Sequence, residues 1–98
     1  MTMSSAYIIA NVDVKDPQQY EAYQRLSTIA MKAHGAEVCV RGGPHEVLEG
    51  DWTPDRLVLL KFASMARARA FYESAEYEAA RRARDGVAVM RMVLVEGA

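Results

Sequence analysis

The sequence predicts an α+β domain in which the elements run strand, helix, strand, strand, helix, strand. Three observations predict it. Four short segments rich in β-branched residues read as strands: Ala6–Val14, Glu37–Arg41, Arg56–Phe62 and residues 87–96. Two intervening stretches carry apolar residues at helical spacing behind capping residues. Glycine and proline punctuate the joints between them.

Each element has its own local reason. Residues 6–14 read AYIIANVDV and alternate from Ile8 onward, as a half-buried strand does. Asp16-Pro17-Gln18-Gln19 then starts a helix. The Asp16 carboxylate can accept from first-turn amides, Pro17 suits the first helical position, and Gln19 completes a capping box. Tyr20, Tyr23, Leu26 or Ser27, Ala30 and His34 share one face, and Gly35 is a natural stop. The second strand ends at Gly42-Gly43-Pro44, where paired glycines permit a bend or bulge and proline cannot donate to a ladder. Glu46-Val47-Leu48-Glu49 offers a continuation of that strand beyond the bend. Residues 50–55, GDWTPD, are turn chemistry. The run Leu57-Val58-Leu59-Leu60 suits a central strand. Ser64 caps a second helix, and Ser74 caps a further piece of it, so a kink is expected near Ser74. Gly86 ends the helical stretch before the last strand.

Two βαβ-like halves joined by a central hairpin give the split arrangement of the ferredoxin-like fold. The expected sheet order is 4-1-3-2, all antiparallel, with both helical segments on one face. The chain's 98 residues fit one domain spanning residues 1–98.

Composition narrows the function classes. Hydrophobic residues are 51% of the chain and charged residues 26%, a globular balance. A formal net charge of −1 argues against a nucleic-acid partner, which requires a basic excess. The arginines of Arg81-Arg82-Ala83-Arg84 suit the negative end of a helix dipole. Cys39 is the one cysteine, which excludes an intrachain disulfide and a thiolate cluster; its apolar neighbours suggest a small buried hydrophobe. His34 and His45 have no metal-ligand spacing, and phosphate-loop and dinucleotide patterns are absent, so no metal and no cofactor are expected. No stretch approaches the roughly 20 apolar residues of a membrane span, and the N-terminus lacks a leader pattern. A cytoplasmic protein without membrane attachment is expected.

Strand alternation sorts the residues by face. Ile8, Ala10, Val12, Val38, Val40, Val58, Leu60, Phe62, Met90, Met92 and Leu94 carry no charge and belong under the helices. Tyr7, Ile9, Asn11, Asp13, Cys39, Arg41, Leu57, Leu59, Lys61, Val89, Arg91, Val93 and Val95 form the other face. That mixed face is too apolar to stay wet. A symmetric homodimer would cover it and enclose a cavity lined by its polar members.

The segments AYIIANVDV at residues 6–14 and VRGG at 40–43 carry a likeness to a known family. VLEGDW at residues 47–52 and YESAEY at 72–77 extend it. With these four segments in register, the chain resembles the bacterial family named domain of unknown function 1330, of the dimeric α/β-barrel superfamily. The likeness covers nearly all of residues 6–97. It implies a ferredoxin-like subunit whose sheet pairs with a twin, and it implies no catalytic motif.

Candidate site residues follow from the open face. Arg41 can pair with a substrate carboxylate, or with Asp13, Glu49 or the partner subunit. Asn11 and Tyr7 can orient a ligand, and Asn11 can equally make a structural hydrogen bond. His45, after the glycine bend, suits a general acid or base, and Glu49 suits a base if desolvated. Trp52 either covers the pocket mouth or packs against the partner subunit. The leading expectation is a cofactor-independent enzyme acting on a small polar or carboxylate-bearing molecule. The alternative is a non-catalytic ligand-binding or stress-related dimer. Haem binding, by analogy with distant relatives, requires an axial ligand that neither histidine clearly supplies.

Overall fold

The computed structural model describes residues 4–98. The elements are β1 (Ala6–Val14), α1 (Pro17–Ala33), β2 (Glu37–Arg41), β3 (Arg56–Phe62), α2 (Met65–Glu73), α3 (Ala75–Ala83) and β4 (Ala88–Glu96). The sheet order is β2-β3-β1-β4, and every pairing is antiparallel. The ferredoxin-like α+β arrangement expected from the sequence is therefore the observed one. No helix is long and apolar enough to cross a membrane among the described residues.

Local chemistry fixes the ends of the helices. The Asp16 side chain accepts from the Gln19 amide at 3.1 Å with Pro17 next in line, as the sequence predicts. Ser64 accepts from the Arg67 amide to start α2. Ser74 ends α2 in extended backbone and accepts from the Tyr77 amide at 3.1 Å to start α3. One serine thus produces the expected kink.

The core lies between the helices and one sheet face. Ile8, Ala10, Val12, Leu60 and Phe62 are buried there against Tyr20, Tyr23, Phe71 and Tyr77. Aromatic rings bind the layers: Phe71 sits 5.2 Å from Phe62 and 4.6 Å from Tyr77 between ring centroids. Tyr20 stacks on Tyr23 at 5.3 Å.

The edge strand β2 departs from regular alternation. Glu37 pairs with Lys61 and Val38 with Leu60, but Val40 pairs with Leu59 and Arg41 with Val58. Cys39 is the extra residue of a β-bulge. The bulge moves Val40 to the open face and Arg41 to the helix face, so both expected placements are corrected. It also leaves Cys39 exposed rather than buried. Past the strand, Gly42 adopts φ +71° and its amide donates to the Leu57 carbonyl at 2.8 Å. A side chain at Gly42 would overlap the Arg56 guanidinium, so only glycine suits this left-handed, close-packed position. Glu46–Glu49 does not extend β2; residues 42–55 form an exposed arm without regular structure.

His34, the C-cap of α1, lies 3.0 Å from Glu76 in the first turn of α3. The bond from His34, with the helix backbone, holds the Glu76 carboxyl below its ordinary value of 4.5. A depressed carboxylate pKa stabilises the fold above that ordinary value and is lost as pH falls through the folded one. Glu76→Gln should therefore lower the melting temperature slightly at neutral pH. The gap from wild type should close as pH falls below 4.5, which thermal melts across an acid series will read.

Candidate functional site

The open face of the sheet carries Tyr7, Asn11, Lys61 and Arg91 among its apolar residues. Asn11 is committed within the subunit: its Nδ2 donates to Asp55 Oδ2 at 3.0 Å and its Oδ1 accepts from the Asp55 amide at 2.8 Å. This reciprocal pair fixes the start of β3 to β1 and matches the structural alternative for Asn11. Tyr7 is half-buried beside Gly97. Trp52 lies over the open face with Ile9, Leu57, Arg91 and Val93 around a shallow hollow, and is 58% exposed. His45 is exposed, with Nε2 3.1 Å from the Pro54 carbonyl oxygen. Glu49 is exposed on the same arm. Among the described residues neither His45 nor Glu49 is hydrogen-bonded to Arg41.

The helix face holds a different constellation. A chamber lies between α1, α3 and the sheet, walled by Ile8, Ala10, Val58, Leu60, Met90 and Met92. Three phenols enter it, from Tyr20, Tyr23 and Tyr77, with Gln24 and Ser27 on the α1 side. Two guanidinium groups also line it, Arg41 after the bulge and Arg56 at the start of β3. Its enclosed volume is about 30 Å³, and it opens to solvent. Such a volume holds a water, for which roughly 10–15 Å³ suffices.

The electrostatics of this chamber are one-sided. No Asp or Glu lines it, and neither Arg41 nor Arg56 forms a salt bridge among the described residues. Arg41 Nη2 donates to Thr28 Oγ1 at 2.9 Å, reaching from β2 to α1. Arg56 Nε is buried without any hydrogen-bond partner. An unpartnered buried donor on a cation carries a desolvation penalty that an anionic acceptor would relieve. Burial pushes the Tyr20 phenol up, while Arg56, within hydrogen-bonding reach, pulls the other way. Burial likewise raises Tyr23 and Tyr77, so all three phenols are protonated donors at neutral pH. The chamber can therefore bind an anion at its arginine end and offer phenolic donors deeper in. Among the described residues no cluster of three or more His, Cys, Asp or Glu side chains is placed to hold a metal ion.

Of the six residues selected from the sequence, only Arg41 lines this chamber. Arg56 and the three tyrosines were not selected for a site. The tyrosines carried a helical period that reads as core, and Arg56 precedes an apolar run with no motif around it. The signal for Arg41 was present, but the bulge that turns it inward shows in the sequence only as the neighbouring glycines.

Comparison with known proteins agrees with this fold. A protein of unknown function from Rhodopseudomonas palustris superposes with a TM-score of 0.73 at 20% identity, over 97% of this chain and 83% of that one. SnoaB, a cofactor-independent oxygenase from Streptomyces nogalater, superposes with a TM-score of 0.64 at 9% identity, over 97% of this chain and 94% of its own. A dimeric ferredoxin-like protein of unknown function from Bacteroides fragilis gives 0.60 at 14% identity, over 99% and 100%. At these identities the likeness is one of fold. No protein of curated function matches the sequence. Residues 5–98 match the domain of unknown function DUF1330, and the chain belongs to that family.

Proposed function

We propose that the protein is a homodimer that binds a small carboxylate-bearing organic molecule in the chamber between its helices and its sheet. Turnover there would be that of a cofactor-independent enzyme. The observation that carries this reading is the pair Arg41 and Arg56, two guanidinium groups without a carboxylate partner at the mouth of an aromatic chamber. A planar guanidinium pairs with a carboxylate through two parallel hydrogen bonds, and the apolar walls suit the body of an organic acid.

The chamber's size constrains the ligand. Its enclosed 30 Å³ is far below the roughly 300–1,000 Å³ of pockets for larger ligands. A ring enters only if α1 parts from the edge strand β2. Across that opening the Arg41–Thr28 bond is an exposed contact, which a carboxylate on Arg41 can replace. A small, flat acid is favoured over a bulky one. The chamber lacks histidine and carboxylate side chains, so proton handling there falls to the phenols.

The dimer is supported by the opposite face. Ile9, Val40, Val89, Val93 and Val95 are exposed on it with Trp52 above, and Val93 is 60% exposed. Leu48 on the neighbouring arm is 93% exposed. The similar protein from Bacteroides fragilis is described as dimeric. Pairing two copies through this face buries these side chains and leaves each helix-side chamber on the outside of the assembly. The non-catalytic alternative, a dimer that sequesters the acid, uses the same chamber without turnover.

Two outcomes are expected. By light scattering at micromolar concentration the wild type should show a dimer mass, and Val93→Asp should shift it to a monomer. A wild-type monomer would remove the dimer from the proposal. In calorimetric titration, Arg56→Met should weaken binding of 3-nitrobenzoate by roughly tenfold or more, as loss of a charge-assisted bond does. An unchanged affinity would place the anion elsewhere.

A further inference from the structure

The arm between β2 and β3 has almost no support from its own subunit. Connections in compact domains mostly run to about 4–6 residues, and much longer ones without regular structure usually carry a function. Here residues 42–55 separate two paired strands. Every residue from Gly43 to Thr53 is exposed. Among the described residues, residues 43–54 make one hydrogen bond, between His45 Nε2 and the Pro54 carbonyl oxygen, and both of its ends lie on the arm. The arm nevertheless carries Val47, Leu48 and Trp52, and Leu48 is 93% exposed. Its charge is one-sided, with Glu46, Glu49 and Asp51 and no lysine or arginine. None of these carboxylates forms a salt bridge among the described residues.

The open face of the sheet presents the complement. Arg91 stands on β4 opposite Asn11 and lines the shallow hollow with Ile9, Leu57, Val93 and Trp52. It forms no salt bridge among the described residues. Two carboxylates of this face have other partners: Asp13 holds Lys15 at 2.7 Å, and Asp55 accepts from Asn11 at 3.0 Å. Pairing two copies face to face takes Arg91 of both out of water. A cation buried without a counter-charge is strongly unfavourable, so the interface requires a carboxylate at that point. The arm supplies one beside an apolar group, because Glu46 and Glu49 flank Val47 and Leu48. None of these four residues lines the hollow of its own subunit.

We propose that the arms are exchanged between the two subunits. Leu48 of each arm seats in the hollow of the partner subunit, against its Ile9, Trp52 and Val93. Glu46 and Glu49 bring their carboxylates to the partner's Arg91, which supplies charge-assisted donors. Two-fold symmetry makes the contact twice, once in each direction. Each open-face hollow is then complete only in the dimer. This rests on the homodimer of the proposed function and is independent of the carboxylate chamber.

Charge reversal in separate chains tests the exchange. In one chain, Arg91→Glu sets like charges against the partner's arm. In another, Glu46→Lys together with Glu49→Lys sets like charges against the partner's Arg91. In sedimentation equilibrium each chain alone should dimerise more weakly than wild type, by roughly tenfold or more in dissociation constant. An equimolar mixture of the two should recover the dimer, because both arm contacts of the mixed dimer unite opposite charges. Mixing cannot repair a contact made within one subunit. Leu48→Ser, which leaves every charge in place, should also weaken the dimer. Circular dichroism confirms that each variant is folded. If the wild type is a dimer and any of the three variants dimerises as tightly, the exchange is overturned and the face-to-face dimer stands. The same holds if the mixture associates no better than its components. A wild type that is monomeric at micromolar concentration removes the dimer and the exchange together.

Discussion

Side chains alternate between faces along a strand, so an extra residue in one strand inverts every position that follows it. The bulge at Cys39 does this to the last two residues of β2. Val40 turns to the open face, which gains an apolar group. Arg41 turns under α1, where its guanidinium can reach Thr28 and line the chamber. Gly42 follows in the left-handed region and lies against Arg56, so the second guanidinium occupies space that a side chain would take. The bulge sits on an edge strand, where an unpaired residue disturbs only one neighbour. Both charges at the chamber mouth depend on this local irregularity.

The aromatic residues of the helices do two jobs with one set of rings. Tyr23, Phe71 and Tyr77 fill the space between α1, α3 and the sheet and tie the layers together. Burial of their faces accounts for most of their presence in a domain of this size. Phenylalanine, already present at 71, would serve that purpose at 23 and 77 as well. Two phenols meeting at 2.7 Å with an arginine behind them require satisfied hydroxyls in a low-dielectric interior. The pair meets that requirement within the subunit, because Tyr23 can donate to Tyr77 and the Tyr77 hydroxyl lies 4.0 Å from Met92 Sδ.

Element order, caps and sheet order were legible in the sequence because each rests on short-range chemistry. Asp16-Pro17, Ser64 and the Ser74 kink are single-residue signals with a direct mechanism. The family likeness was legible because four segments kept their order and spacing. The site was only partly legible. Asn11 and Arg41 were assigned to one face by strict alternation, and the bulge separates them. Asn11 closes a bond pair with Asp55 across 44 residues of sequence, a distance over which local pattern carries no information. Arg56 precedes an apolar run, and no local pattern signals that its guanidinium lies against Gly42.

The two faces of the sheet now divide the work. On the open face Asn11 is satisfied within its own subunit, and exposed valines lie beside it with Trp52 above, which is the composition of a surface that meets protein. On the helix face Arg56 Nε is buried without a partner and the surroundings are apolar, which is the composition on which the proposed carboxylate site rests. The faces lie on opposite sides of one sheet, so the proposed subunit interface and the proposed ligand would not compete for the same groups. A ligand that parted α1 from β2 would break the exposed Arg41–Thr28 bond without requiring the β2–β3 pairing to break. On the proposed reading the chamber would open at an exposed side-chain contact rather than at a backbone pairing of the sheet.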